Sequence, residues 1–132
     1  MPELTKRCKD CPPSVKTPRP ALYPGPRCAT HHRMVQKTRS EIGHDRMVGK
    51  TYGLKPGEYE RIYQAQGGHC AICGWATGRS KRLAVDHDHE TDRVRGLLCS
   101  VCNRFIGYVR NAPAAFQRGY DYLKRAQEAR DD

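Results

Sequence analysis

The chain has 132 residues and a formal net charge of +10, from 24 Lys and Arg against 14 Asp and Glu. Leu, Ile, Val and Phe together number only 20, about 15% of the chain, too few for an ordinary apolar core, and no apolar run approaches the ~18 residues of a membrane span, so no membrane partner is expected. Seven cysteines and six histidines are present, and we therefore expect bound metal to stabilise a small fold.

Residues 1–50 form a basic, proline-rich segment. It carries eleven basic and four acidic side chains, and seven of the nine prolines lie between Pro2 and Pro26. The N-terminus lacks the apolar run of a secretory signal, so we expect a cytoplasmic protein. We predict an irregular arm attracted to polyanions, followed by a polar helix over residues 31–47.

Residues 51–132 have the pattern of a separate α+β domain. Two short apolar runs with a polar turn around residues 90–92 indicate a β-hairpin. The predicted elements are a helix from Pro56 to Gly67, strands over 82–86 and 93–98, and helices over 100–110 and from Pro113. Four apolar side chains of the last helix share a face that we expect to cap the core: Phe116, Tyr120, Leu123 and Ala126.

Two Cys-x-x-Cys pairs lie on either side of the predicted hairpin. The pairs are Cys70 with Cys73 and Cys99 with Cys102, with 25 residues between them. Two thiolates on each tight turn can close a tetrahedral Zn²⁺ site, which would replace the missing apolar core. Buried free cysteines or redox-active thiols are the alternative interpretations.

The basic segment contains a second set of candidate zinc ligands. Cys8 and Cys11 are followed after 16 residues by Cys28 and His31, with His32 as a rival fourth ligand. We predict a second zinc site here. A disordered basic arm with incidental cysteines is the alternative, because the prolines between the two halves leave closure of the loop open.

A third group of candidate ligands lies within the hairpin. The run from Asp86 to His89 alternates carboxylate and imidazole, and Asn103 follows Cys102 directly. Carboxylate and amide oxygens suit Mg²⁺ or Mn²⁺, whereas thiolates take Zn²⁺. Strand alternation would place neighbouring side chains on opposite faces, so a bulge or strand end is needed to bring them together. A solvated charged turn is the alternative interpretation.

These residues resemble a known family of nucleases. The run VDHDHETDRVRGLLCSVCN at residues 85–103, with GGHCAIC at 67–73, is similar to the signature of the phage recombination endonuclease VII family, within the HNH nucleases. The resemblance implies a small zinc-stabilised ββα-metal (His-Me finger) fold with flanking helices. It also implies DNA hydrolysis that leaves 5′-phosphate and 3′-hydroxyl ends.

The resemblance also assigns roles to individual residues. Asp86 and Asn103 would hold a catalytic Mg²⁺ or Mn²⁺, and His87 would be the general base. His89 would contact phosphate or support the metal. The family has an acidic residue three positions after the asparagine, where this chain has Ile106, so no role carries over to that position.

The implied partner is DNA, either branched DNA such as a Holliday junction or a duplex that is nicked. A homodimer and interactions with phage recombination or packaging proteins are further expectations. A different class stays open, in which the chain is a non-catalytic zinc-ribbon module that binds DNA or regulates another protein. Cleavage that depends on a divalent cation separates the two classes.

Basic and aromatic side chains around the third group are candidates for DNA contact. The candidate phosphate-binding cations are Arg79, Lys81, Arg82, Arg93 and Arg95, although surface charge for solubility is an equally good account of any single one. Trp75, Tyr59 and Tyr63 could stack on bases. We expect them to pack in the core instead, because large aromatic residues are scarce here.

Overall fold

The computed structural model describes residues 7–16, 19–21 and 25–131. It divides into two compact units, residues 1–50 and residues 51–132. None of the helices in the described ranges is both long and apolar enough to cross a membrane. The two units are described separately below.

The first unit consists of an irregular segment and the long helix α1, Ala29–Tyr52, whose last two residues belong to the second unit. Lys9 N donates to Pro26 O at 2.9 Å, which brings the start of the irregular segment back to its end. The helix is longer than predicted at both ends. It begins directly after Cys28, whose carbonyl accepts from His32 N at 2.8 Å, and it ends before Gly53, which has a φ of +72°.

The second unit combines helices with a two-stranded antiparallel sheet, so it is an α+β fold. Its elements are α2 (Glu58–Ala65), β1 (Ala84–His87), β2 (Val94–Leu98), α3 (Ser100–Tyr108) and α4 (Pro113–Asp131). The strands are antiparallel, with Val85 opposite Leu97, and α3 packs against both of them. The hairpin was predicted, but β1 begins and ends later than expected. Helix α2 begins after Gly57, because that residue has a φ of +75° and caps the helix.

The core of the second unit is small, as the composition predicts. Its buried apolar side chains, besides two cysteines, are Leu54, Tyr59, Leu83, Val85, Leu97 and Leu98. Tyr59 donates its hydroxyl to the carbonyl of Leu83 at 2.7 Å, and burial raises the pKa of this tyrosine. Tyr63 donates to the carbonyl of Thr77 at 2.6 Å. Both tyrosines therefore have the packing role expected of them.

Two expectations about apolar packing are wrong. Helix α4 does not cap the core, because Tyr120 and Leu123 are exposed and only Phe116 near its start packs, edge to face against Phe105. Trp75 does not pack either, since 80% of it is exposed. Helical periodicity shows which side chains share a face, but it does not show whether another element covers that face.

Gln66 joins α2, the first cysteine pair and β2 through its side-chain amide. Its Oε1 accepts from Leu97 N at 2.8 Å, and its Nε2 donates to Leu97 O and His69 O, both at 2.9 Å. The backbone of the fully buried Leu97 depends on this amide. The side chain also closes over Gly96, where a Cβ would lie 2.9 Å from Oε1.

We expect Gln66→Ala to destabilise the second unit by about 2 kcal/mol, because it leaves backbone groups of a buried strand without partners. Urea unfolding followed by circular dichroism measures the change. Gln64→Ala is the matched control, since the side-chain amide of Gln64 donates to Glu60 on the exposed face of α2, and we expect a change below about 0.5 kcal/mol. Equal stability of the two variants would contradict the role of Gln66.

Candidate functional site

The four cysteines of the second unit come together as predicted. The sulfur atoms of Cys70, Cys73, Cys99 and Cys102 all lie within 4.8 Å of one another. The first pair lies in a tight turn closed by Gly74 N donating to Cys70 O at 3.0 Å. The second pair opens α3, where the Cys99 sulfur caps the helix by accepting from Cys102 N at 3.4 Å. This cluster could bind a zinc ion.

The pKa values of two thiols in this cluster shift in opposite directions. Burial raises the pKa of the Cys70 thiol, but hydrogen bonds from backbone groups, that of Cys99 foremost, outweigh it and lower the pKa to about 6. Burial and hydrogen bonds to the other sulfurs raise the pKa of Cys102 to about 12. Four thiolates this close repel one another, so a cation is needed to ionise them all.

The first unit contains the second cluster, formed by Cys8, Cys11, Cys28 and His31. His31 Nδ1 lies 3.2, 3.6 and 3.3 Å from the three sulfurs in chain order. His31, and not His32, therefore completes the group that could bind a zinc ion. Burial raises the pKa of Cys8, but backbone hydrogen bonds, first that of Cys28, reverse this and lower the pKa to about 6.

The hairpin contains the irregularity that the third group requires. Asp86 pairs with Gly96 and His87 pairs with Val94, so the pairing leaves Arg95 as an extra residue in β2. His87 is also the last residue of β1. The expected bulge or strand end is therefore present, and both occur at the same point.

Asp86 is almost completely buried and its two carboxylate oxygens are bound by Arg95. Arg95 Nε donates to Oδ2 at 2.8 Å, and Nη2 donates to Oδ1 at 3.0 Å. Nη2 also donates to Asn111 Oδ1 at 3.0 Å. The hydrogen bonds to Asp86 raise the pKa of Arg95. Arg95, predicted as a phosphate contact, instead neutralises the candidate metal ligand in this structure.

A cavity of about 330 Å³ lies beside this ion pair. Asp86, Arg95 and Asn111 supply its polar wall, and Ile106 is among its apolar lining. The position where the resemblance leads us to expect an acidic residue thus lines the same cavity as Asp86. Asn103 lies one helical turn before Ile106 on α3, and both are half-buried. Residues three apart share a face of a helix, so Asn103 is on the packed face of α3.

The ring of His87 contacts two other aromatic rings. Its centroid is 5.3 Å from Tyr52 and 4.7 Å from His89, and both pairs are tilted by 54°. The following turn is closed by Asp88, whose Oδ1 accepts from the backbone of Glu90 and of Thr91, each at 2.9 Å. These bonds lower the pKa of Asp88. Asp88 therefore shapes the turn that presents His89.

The remaining candidate cations lie at the surface. Arg79, Lys81, Arg82 and Arg93 are all exposed, and none of them forms an ion pair within the described residues. They are free to contact a polyanion.

Comparison with known proteins identifies the family. The family model of recombination endonuclease VII matches residues 44–125. The chain belongs to the recombination endonuclease VII family. It is also 49% identical over 122 residues to the Gene 59 protein of Mycobacterium phage D29, covering 91% of this chain and 74% of the relative. The Gene 59 protein of Mycobacterium phage L5 is 48% identical over 120 residues, covering 89% and 73%. No solved structure gives a significant match.

Membership of the endonuclease VII family confirms the resemblance drawn from the sequence and indicates a nuclease. Sequence analysis missed three residues that surround the candidate site, Tyr52, Gln66 and Asn111. Tyr52 contacts His87, Gln66 fixes β2, and Asn111 holds Arg95. The contacts of Gln66 and Asn111 could not be predicted from these residue types. Gln66 bonds to backbone atoms, and Asn111 bonds to a side chain that is distant in the sequence.

The donor chemistry at Asp86 fits a hard divalent cation. A buried carboxylate on β1 and an amide on the packed face of α3 are oxygen ligands of the kind that Mg²⁺ and Mn²⁺ prefer. Arg95, however, holds both oxygens of the carboxylate. A cation that binds Asp86 would compete with the guanidinium group for these oxygens.

Proposed function

We propose that this protein is a metal-dependent DNA endonuclease of the HNH, ββα-metal class. The strongest support is that Asp86 and His87 lie at the bulge of the β-hairpin, between the two cysteine pairs that could bind zinc. This hairpin lies within the segment that matches the family model. The reaction is hydrolysis of a phosphodiester bond to 5′-phosphate and 3′-hydroxyl ends.

His87 is the general base in this proposal. An imidazole changes protonation near neutral pH, so it can take a proton from the attacking water. Contacts with the rings of Tyr52 and His89 would orient the imidazole. His89, which is exposed, would contact a DNA phosphate or support the metal.

Asp86 and Asn103 would hold Mg²⁺ or Mn²⁺. The cation would stabilise charge on the phosphate and on the leaving 3′ oxygen. Without the cation, Asp86 is paired with Arg95. When the cation displaces Arg95 from Asp86, the guanidinium group would need another anionic partner. A DNA phosphate fits the two-pronged geometry of the guanidinium group as well as a carboxylate does. DNA and cation would therefore promote each other's binding.

This coupling predicts that Arg95→Ala binds Mn²⁺ more tightly than the wild type when DNA is absent, by about tenfold or more. The reason is that the guanidinium group no longer competes with Mn²⁺ for the Asp86 carboxylate. Electron paramagnetic resonance of free Mn²⁺ measures the affinity. Arg93→Ala is the matched control, since Arg93 is an exposed arginine two residues away. Unchanged Mn²⁺ affinity in Arg95→Ala would show that Arg95 does not block the carboxylate.

Ile106→Glu tests the same competition from within the cavity. Ile106 and Arg95 line the same cavity, so we expect a carboxylate at this position to draw Arg95 from Asp86 and to increase Mn²⁺ affinity. Ile106→Gln has nearly the same volume without the charge. Equal affinities of the two variants would contradict the prediction.

The substrate is branched DNA or a duplex that is nicked, in the host cytoplasm if a phage encodes the enzyme. The basic first unit and the exposed cations of the second would add affinity for phosphates. A homodimer and contacts with phage recombination or packaging proteins belong to the same proposal.

The second candidate is a zinc-ribbon module that binds DNA without cutting it. The pairing of Asp86 with Arg95 favours this alternative, because it neutralises the central carboxylate. Incubation of supercoiled plasmid and a synthetic four-way junction with zinc-loaded protein, with and without Mg²⁺ or Mn²⁺, separates the two. We expect cation-dependent cleavage of at least one substrate, and binding without cleavage would favour the module.

A further inference from the structure

Trp75 is the only tryptophan of the chain and is 80% exposed. It lies two residues after Cys73, in the segment that leads to β1. No hydrogen bond or ring contact from the described residues engages the indole. Because this side chain stays in water, the fold lacks the stabilisation of about 2 kcal/mol or more that its burial would give.

The backbone on both sides of Trp75 is fixed by hydrogen bonds. Cys70 N donates to Ala76 O at 2.8 Å, directly after the tryptophan. The carbonyl of Thr77 accepts the Tyr63 hydroxyl at 2.6 Å. Gly74, directly before the tryptophan, donates to the turn of the cysteine pair and has a φ of +73°. The indole is therefore held in solvent by an ordered turn, so a partner could bind it at little cost in conformational entropy.

The surrounding charge selects an anionic partner. No Asp or Glu occurs between Gly67 and Val85, while Arg79, Lys81 and Arg82 follow Trp75 closely and are exposed. A partner that combines a flat apolar face with repeated negative charge satisfies both features. A DNA base with its flanking phosphates has this chemistry.

We propose that Trp75 is a stacking platform for an unpaired base of the DNA substrate. Bases inside a duplex are covered on both faces by their neighbours, so away from the duplex ends an unpaired base is the one that can offer a free face to the indole. The platform would thus add affinity for DNA that contains unpaired bases over continuous duplex. This inference rests on the proposed function for the identity of the polymer and deepens it by naming the residue that contacts the DNA.

The single tryptophan makes the proposal directly measurable, because the emission of the protein on excitation at the red edge of indole absorption comes from Trp75 alone. The probes are a fully paired 20-base-pair duplex and the same duplex with two unpaired thymines, with no added divalent cation so that the DNA stays intact. We expect the bulged DNA to quench the emission strongly and the paired duplex to quench it weakly. Equal quenching by the two probes would overturn the preference.

Variants measure what the platform contributes to affinity. Anisotropy of labelled bulged DNA is expected to show about tenfold weaker binding for Trp75→Ala and less than threefold for Trp75→Phe, since the phenyl ring still stacks. The matched control is Tyr108→Ala, which removes another exposed aromatic, on α3. Co²⁺ absorption of the cysteine cluster verifies that each variant keeps its fold. Wild-type affinity in a folded Trp75→Ala protein would refute the platform.

Failure of the stacking proposal can be distinguished from failure of the proposed nuclease function. Cation-dependent cleavage without selective quenching would refute the platform and leave the nuclease in place. Selective quenching without cleavage under any cation would support the platform and refute the nuclease.

Discussion

Cys102→Ser protein is expected to lose the fold of the second unit, and DNA cleavage with it. Structural zinc contributes roughly 10 to 16 kcal/mol in small zinc-binding peptides, comparable to the whole stability of an ordinary domain. The buried apolar side chains around this cluster are few, so they cannot compensate. Thermal unfolding by circular dichroism, zinc content and plasmid cleavage together measure the effect.

Cys11→Ser is the matched control, because it removes a ligand of the other cluster. We expect two zinc ions per chain in the wild type and one in Cys11→Ser, with the second unit still folded. A Cys102→Ser protein that is folded, zinc-free and fully active would refute the structural role of the ion.

His87→Ala is expected to lower the rate of cleavage by about 10²- to 10⁴-fold, the usual contribution of a general base. His69→Ala is the matched control, since the His69 ring lies beside Gly67 at the end of α2 and its backbone carbonyl, which accepts from Gln66, is kept. Junction cleavage in single turnover measures both rates.

The role of His87 as a base is separable from a structural one. Added imidazole is expected to restore part of the activity of His87→Gly, because the small base can enter the space left by the ring. Tyr52→Ala is expected to lower the rate less, by about tenfold, since it only removes a contact that orients the imidazole. A His87→Ala protein as active as the wild type would remove this residue from the mechanism.

The two cysteine clusters could be predicted because their spacing is local. Ligands three residues apart share one turn of the chain, and four thiols in a chain with so little apolar volume have few other uses. The choice of His31 over His32 follows the same rule. Helix α1 starts just after Cys28, so the third residue after this cysteine returns to its side of the helix.

The partner of Asp86 could not be predicted. Arg95 was one of five candidate cations, and nothing in the sequence distinguishes it from the other four. In the structure Arg95 is the extra residue at the bulge of β2, and its guanidinium group reaches the Asp86 carboxylate. Asn111 then supports Arg95 from beyond the end of α3, at a sequence distance that no local pattern encodes.

The exposure of Trp75 and of α4 escaped prediction for a related reason. Because large aromatic residues are scarce in this chain, we expected Trp75 to be buried. Trp75 instead lies in an ordered turn after the cysteine pair, where its indole is exposed. Periodicity defined a face on α4, but after Phe116 no element of the second unit covers it. Burial depends on which elements meet, and a single sequence reports that poorly.

The proposed mechanism requires that Asp86 and Asn103 share one divalent cation beside His87 when DNA is bound. Crystals of His87→Ala protein with a four-way junction and Mn²⁺ would locate this cation through the anomalous scattering of the metal. We expect one manganese peak about 2.1 Å from an oxygen of each residue, with Arg95 moved onto a DNA phosphate. DNA bound with Arg95 still on Asp86, and no manganese between Asp86 and Asn103, would contradict it.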